Sequence, residues 1–345
     1  MTRAGFLVLH RRIALAIALF LLIQALTGAA LLFHSSLARW LDPAAMVRHR
    51  VGAMTPVSQI VRSASDAFPG YRVVRLYLPA ERQDTAFAQL SGPAGEARYA
   101  SIDPGDARVL ASGRIWRFPL EAALQVHDQL LIGKAGMAVI LADGIGLLLL
   151  GFTGLKFWWP GRGRIARNLT IRAAAPGRLR LRQWHRSGGV LAATLMGFSA
   201  TTGVLLIVPD LIARRTEQVA WLAPPSGAQI DRAVRTAQAQ FPGHRIRDIR
   251  FPPTADRIEA NIFAPERNAR AVHMVSARLN DGCAIKVLPA AQNSVLWMII
   301  LPLHSGDSFG LAGQLLLLTE AFVLAALAST GPVMWWQARR RKPRP

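Results

Sequence analysis

A single cysteine, Cys283, stands among the 345 residues, so neither an intramolecular disulfide nor a cysteine metal cluster is possible. A lone cysteine of this kind reads as an ordinary packed side chain. No Gly-x-Gly-x-x-Gly follows a strand-like run, which removes a dinucleotide-binding unit from consideration. The polar stretches hold no nucleophile–base pairing and no phosphate-binding glycine loop. Acidic residues are scarce as well, 20 against 41 basic ones. Their absence is local: residues 1–12, 160–186 and 337–345 carry 16 basic residues and no acidic one.

A net charge of +21 would fit a nucleic-acid partner if the charge were spread or striped. Instead, residues 34–134 and 209–310 each hold 12 basic and 9 acidic residues, close to balance. The excess sits beside four apolar runs, near Ile13–Phe33, Met137–Trp159, Gly188–Val208 and Leu311–Trp336. Each is long enough for a hydrocarbon core of about 30 Å, which takes roughly 20 residues. Lys and Arg gathered in short segments flanking such runs are the positive-inside signature. This predicts a multi-pass membrane protein with both termini and the 161–186 loop cytoplasmic, and the Ala-, Arg- and Leu-heavy composition suggests a bacterial inner membrane. The bilayer is then its first partner, anionic lipid included, and no nucleic acid is needed to explain the charge. The first run also has the basic start and small residues of a cleaved leader. Its likeness to the third run, which is internal, argues that it stays attached.

That likeness is part of a repeat. Leu9-His10-Arg11 falls on Trp184-His185-Arg186 at an offset of 175, and Thr27-Gly28 then falls on Thr202-Gly203. His127, Gly133, Gly136, Asp143, Thr153-Gly154 and Trp158-Trp159 recur at an offset of 177. The second set is His304, Gly310, Gly313, Glu320, Thr330-Gly331 and Trp335-Trp336. Phe68-Pro69-Gly70 returns as Phe241-Pro242-Gly243 at an offset of 173. A repeat of this kind sets the architecture: apolar helix, polar module, apolar helix, in tandem. The spans divide the chain into helix 1 (1–36), module 1 (37–134), helix 2 (135–160), a cytoplasmic Arg-rich loop (161–186), helix 3 (187–210), module 2 (211–308), helix 4 (309–337) and a cytoplasmic tail (338–345).

In module 1, Thr55-Pro56 is an N-cap and first-turn pair. Val57, Ile60, Val61, Ala64 and Phe68 follow at helical spacing, and Pro69-Gly70 stops the helix. Strand-like runs Tyr71–Leu78, Thr85–Leu90, Tyr99–Ile102 and Arg108–Leu110 come next, with a turn at Asp103–Asp106. Module 2 repeats this with Ile230, Val234, Ala237 and Phe241. Its strands lie near Arg245–Phe251 and Ile258–Phe263, and a turn falls at Asn280–Gly282. Each module is predicted to be one helix on its own small antiparallel sheet.

The helix, Phe-Pro-Gly and strands resemble a PepSY domain. The runs LHRRIALAIALFLLIQALTGA and WHRSGGVLAATLMGFSATTGV look like PepSY-associated transmembrane helices, and the resemblance covers nearly the whole chain. It implies an integral membrane α-helical protein of four transmembrane helices from a tandem duplication, with two small α+β PepSY-like periplasmic modules. It also implies kinship with iron-regulated inner-membrane proteins and haem-containing ferric-siderophore reductases.

Two tandem units of one orientation are related by an axis along the membrane normal. Such an axis brings His10 opposite His185 at the cytoplasmic face and His127 opposite His304 at the outer face. Facing imidazoles suit axial ligation of haem b, one per pair, with no Cys-x-x-Cys-His attachment needed. Thr27-Gly28 follows His10 at an offset of 17, about 25 Å along a helix, at the level of the outer pair. Thr153-Gly154 and Thr330-Gly331 lie at the level of the inner pair by the same count. Gly28, Gly203, Gly154 and Gly331 are therefore expected to leave room for a flat macrocycle. Plain helix packing by small residues is the alternative.

Asp143 and Glu320 follow their histidines at one and the same spacing, inside the membrane, where a carboxylate is costly and faces the bundle interior. They are the candidate catalytic carboxylates, accepting protons or tuning the outer haem, or holding an ion. A polar clasp with Gln24 or a threonine is the alternative. His34 breaks the repeat and is a reserve ligand or substrate-side residue; His49, His244 and His273 read as surface residues. The Trp pairs read as interfacial anchors. The function expected is transfer of electrons from a cytoplasmic or quinol donor to a periplasmic ferric siderophore or other ferric chelate. Two rivals stand beside it: a haem-free membrane anchor regulating a periplasmic partner, and an ion-coupled transporter.

Overall fold

The computed structural model describes residues 2–50, 52–213, 224–253 and 256–340; the end of the expected cytoplasmic tail, 341–345, lies outside them. The chain divides into two units. One comprises residues 1–33, 123–213 and 300–345, the other 34–122 and 214–299.

In chain order the helices of the first half are α1 (Arg3–Leu31), α2 (His34–Leu41), α3 (Pro43–Met46), α4 (Val57–Asp66), α5 (Pro119–Gln129) and α6 (Lys134–Trp158). Those of the second are α7 (Ile165–Leu169), α8 (Gly177–Ile212), α9 (Gly227–Ala239), α10 (Trp297–His304) and α11 (Gly310–Arg339). Strands β1 (Arg72–Tyr77), β2 (Ala86–Ser91), β3 (Ala97–Ile102) and β4 (Val109–Gly113) follow α4. Strands β5 (Ile246–Arg250), β6 (Arg257–Phe263), β7 (Val272–Arg278) and β8 (Ala284–Leu288) follow α9.

The first unit is built on α1, α6, α8 and α11, which are long and apolar enough to cross a membrane. Around the bundle α1 packs on α6, α6 on α8, α8 on α11 and α11 on α1. His10 and His185 thus stand on helices that are not neighbours in this ring. Many large apolar side chains on these helices are exposed in the bundle, Leu19, Phe152, Leu191 and Phe322 among them. Such a surface suits hydrocarbon as solvent rather than water. Beside the apolar Leu21, Met196 and Ile207, the bundle buries small and polar residues: Ala25, Asp143, Thr153, Ala200, Thr202, Glu320 and Ala328.

The second unit differs from the two separate modules predicted. All eight strands form one antiparallel sheet, in the order β4-β3-β2-β1-β5-β6-β7-β8. At its centre Leu76 pairs with Ile249, flanked by Arg75 with Arg250 and Tyr77 with Asp248. Leu76 and Ile249 are related by the same offset as the two Phe-Pro-Gly motifs. That shift also turns the pair Arg75–Arg250 into Tyr77–Asp248, as a local two-fold would. Pairing β1 with β5 removes two sheet edges that would otherwise stay open.

Helices α4 and α9 cover one face. Ile60 and Ala64 from α4 and Ile230, Ala233 and Ala237 from α9 join Leu76, Leu90, Ile102, Ile249, Ile258 and Ile262 in a single core. The two helices are tied together where Asp231 accepts the Ser58 N–H at 3.0 Å and the Ser58 hydroxyl at 2.6 Å. On the other face Asp248, with no side-chain exposure, accepts hydrogen bonds from Arg75, Arg247 and Asn261. Burial raises its pKa, but the two guanidinium groups outweigh it and hold the carboxyl below its usual range. Cys283 is exposed rather than packed, because the Asn280–Gly282 turn ends just before it.

Candidate functional site

The four repeated histidines lie in the helical bundle, and each meets a Thr-Gly pair of a neighbouring helix. His127 Nδ1 is 3.0 Å from Thr27 Oγ1 and His304 Nδ1 is 2.9 Å from Thr202 Oγ1. At the other end His10 Nδ1 is 3.1 Å from Thr153 Oγ1 and His185 Nδ1 is 2.8 Å from Thr330 Oγ1. The threonines settle which ring nitrogen carries the proton. Each donates its only hydroxyl proton along its own helix, Thr27 to the Ile23 carbonyl, Thr153 to Leu149, Thr202 to Phe198 and Thr330 to Ala326. Toward the imidazole each hydroxyl can therefore only accept, so Nδ1 is the N–H. The Leu150 carbonyl, 3.2 Å from His10 Nδ1, requires the same assignment. All four rings are left with an unprotonated Nε2.

The glycines complete each shelf. A Cβ on Gly28 would stand 3.1 Å from His127 Cε1, one on Gly154 3.2 Å from His10 Cε1, and one on Gly203 3.3 Å from His304 Cε1. Gly331 is looser, at 3.7 Å from His185 Cε1. The space beside these glycines is thus taken by the imidazoles themselves, whereas a slot for a macrocycle was expected. Gly28, Gly154, Gly203 and Gly331 hold the histidines in place. The Gly28 position is 4.0 Å from His127 Nε2 against 3.1 Å from Cε1, so the free nitrogen points away from the shelf.

His127 and His304 reach the bundle from α5 and α10, short helices that precede α6 and α11. Gly133 and Gly310, with φ of +63° and +57°, make the turns into the long helices, a conformation that favours glycine. A Cβ on Gly136 would lie 1.8 Å from the Gln129 carbonyl oxygen, and one on Gly313 2.4 Å from that of Gly306. These matched glycines let each histidine-bearing segment fold back on the first turn of its helix.

The rings of His127 and His304 are 6.3 Å apart, centroid to centroid, and tilted by 45°. Two imidazoles on opposite sides of one metal ion, with bonds of about 2 Å and about 1 Å from nitrogen to ring centre, would stand about 6 Å apart. The donor set, neutral imidazoles with Nδ1–H anchored and Nε2 free, is the one metal-ligating histidines use. The donor chemistry of these residues is one that could hold a haem iron.

Asp143 and Glu320 are buried in the bundle at 4% and 6% exposure. Ser199, one turn before Thr202, donates to Glu320 at 2.7 Å. At the repeat-matched place one turn before Thr27 stands Gln24. Its Nε2 and Asp143 Oδ1 are both buried without a hydrogen-bond partner among the described residues. The polar clasp foreseen from the sequence is thus made on the Glu320 side by Ser199. Glu320 belongs to the His127/His304 end, judged by its contact with Ser199, one turn from Thr202.

The remaining histidines fall in the second unit. His34 begins α2 and its Nε2 lies 3.0 Å from Glu121. His49 is at the surface. His273 is not: it is 6% exposed and stacks on Phe241 at 3.8 Å. With Glu266 and His244 it forms a cluster of metal-ligand type. The Ala290 N–H donates to His273 Nδ1 at 3.0 Å, so its Nε2 carries the proton and faces Glu266 at 3.1 Å. Burial holds this imidazole below its usual pKa although Glu266 pulls the other way. A protonated Nε2 offers no lone pair, and Glu266 contacts both imidazoles, His244 at 3.4 Å and His273 at 3.1 Å. Phe241 at the end of its helix was the one sequence sign of that burial.

The chain matches the model of the PepSY-associated TM region over residues 7–338, and it belongs to that family. It is a multi-pass membrane protein. Among curated proteins no match is found.

Proposed function

We propose that this protein is a dihaem electron carrier of a bacterial inner membrane, delivering electrons to a ferric siderophore or similar ferric chelate on the periplasmic side. The reading rests on one observation: four repeated histidines, each with Nδ1 held by a threonine and Nε2 left free. His127 and His304 would hold one haem b, His10 and His185 the other, and bound haem iron supplies one-electron chemistry. The threonines fix tautomer and ring orientation, and the glycines let the rings lie against the helices. Glu320, with Ser199, places a carboxyl group within about a helical turn of the His127/His304 end, and Asp143 is its counterpart in the repeat; the two would take up a proton or adjust the local field.

The topology belongs to this reading: both termini and the 161–186 loop cytoplasmic, the eight-stranded unit outside, the chain a tandem duplication. A cytoplasmic protein or quinol would be the donor. The buried Asp143 Oδ1 without a partner among the described residues also favours a second reading, an ion-coupled transporter. A pyridine haemochrome assay on protein expressed with ample haem tests the proposal. About two haems per chain are expected, and a value near zero rejects it.

A further inference from the structure

The second unit contains a cavity of about 400 Å³ that the electron-transfer reading does not use. It lies at the seam between the halves of the sheet, where α4 and α9 begin. A Cβ on Gly227 would stand 3.2 Å from Ser58 Cβ, so the helix starts touch beside it. Its volume falls in the range that takes a small organic molecule, about 300–1,000 Å³.

The lining has two chemistries. Val73, Ile230, Phe251 and Leu279 supply a buried apolar floor. Arg62, Arg72 and Arg257 supply cations, and among the described residues no carboxylate lines the cavity. Arg72 is oriented by donating to the carbonyls of Pro252 and Pro253. Arg257 leans on Asp256 and Glu259 outside the lining, at 3.4 and 3.6 Å.

The serines do not offset this. Ser58 has committed its hydroxyl proton to Asp231 and Ser65 its own to the Val61 carbonyl; Ser226, which accepts from the Gln229 N–H, keeps one proton to donate. The guanidinium groups are therefore the main donors a guest would meet, and their planar fork matches a carboxylate.

We infer that this cavity is a binding site for a small organic carboxylate with an apolar body, its anionic end at Arg62, Arg72 and Arg257 and its body on Val73, Ile230, Phe251 and Leu279. The site shares no residue with the histidine pairs and does not depend on haem. Neither chemistry suffices alone. A neutral apolar molecule makes no charge-assisted contact with the guanidinium groups, and a bare inorganic anion makes none with the apolar floor.

The test is ¹⁹F NMR titration of the full-length protein in detergent with 4-(trifluoromethyl)benzoate, with protein-free micelles as blank. The neutral 4-(trifluoromethyl)benzyl alcohol is run in parallel, and inorganic phosphate is used as competitor. Saturable binding of the benzoate is expected, with the alcohol weaker by about tenfold or more, since a charge-assisted contact is worth that much. Arg62→Gln and Arg257→Gln should each weaken the benzoate by a similar factor, and Ser65→Phe should block it by filling the cavity. Arg108→Gln, which removes an exposed charge elsewhere on the sheet, should leave it unchanged. Near-UV circular dichroism confirms that each variant keeps its tertiary packing. Equal binding of the alcohol, full competition by equimolar phosphate, unchanged affinity in both arginine variants, or no saturable binding up to millimolar benzoate would each overturn the inference.

Discussion

Thr27 accepts the Nδ1–H of His127 at 3.0 Å while donating its own proton to the Ile23 carbonyl. One hydroxyl thereby fixes the tautomer of an imidazole. The same arrangement occurs at His10, His185 and His304. Outer partners of this kind are worth about 10- to 100-fold in metal affinity. Thr27→Val and Thr202→Val should therefore release haem about that much more readily to an apomyoglobin trap, whereas Thr27→Ser should stay close to the parent. Equal release by the valine and serine variants would mean that the hydroxyl has no such role.

The glycine shelves make a graded prediction. Alanine at position 28, 154 or 203 places a methyl group 3.1–3.3 Å from an imidazole carbon, and at position 331 only 3.7 Å. Gly28→Ala, Gly154→Ala and Gly203→Ala should lower haem content or broaden the Soret band of their own site. Gly331→Ala should be nearly silent, since its new methyl group would make an ordinary van der Waals contact. Comparable loss in all four, measured as haem per protein, would contradict the shelf geometry.

The pairing of histidines is separable by spectra. His127→Ala and His304→Ala should remove the same haem, His10→Ala and His185→Ala the other, and His34→Ala neither, because His34 is engaged with Glu121. Hydrocarbon about 30 Å thick separates the faces, so loss of the outer site should abolish reduction of an external ferric chelate while the inner haem stays reducible. Dithionite titration of the five variants checks this. Loss of one and the same haem in all four repeat variants refutes the pairing.

Topology follows from the charge. Alkaline phosphatase fused after Pro160 should be inactive and after Gly227 active, given the 16 basic and no acidic residues in 1–12, 160–186 and 337–345. The reverse pattern would invert the orientation.

Asp103 sets an acid limit on the sheet unit. Burial raises its pKa, but the N–H groups of Gly105, Arg50 and His49 and the charge of Arg48 outweigh this and hold it below the usual carboxylate range. A group whose pKa is lower folded than unfolded stabilises the fold above the unfolded value, about 3.9. That contribution disappears as pH falls through the folded value. Thermal unfolding should be insensitive to this group from pH 7 to 5 and steepen below about pH 4. Asp103→Asn should be less stable at neutral pH by about 1–3 kcal/mol and lose part of the acid dependence. An unchanged acid limb in Asp103→Asn would exclude the group as its source.

Much was legible in the chain itself. The four spans follow from unbroken apolar runs, and burial in a bilayer depends on composition over about 20 residues rather than on any distant partner. The level at which each Thr-Gly meets a histidine follows from helical rise alone, one rod measured against its neighbour. The helix at Val57 and the strands after it were marked by local period and by Pro-Gly stops. Tertiary structure decided the rest, because the rest depends on pairings remote in sequence. Nothing in Leu76 or Ile249 announces that β1 and β5 join; two open edges close on each other only once both halves exist, and two predicted modules become one sheet. The glycines were visible, but not that an imidazole rather than a cofactor would lie against them. His273 looked like surface until Phe241 stacked on it and Ala290 took its Nδ1, and a hydrogen bond from so distant a stretch of backbone has no signature in local spacing. Hydropathy and periodicity are properties of a segment, whereas tautomers, shelves and sheet edges are properties of what the segment meets.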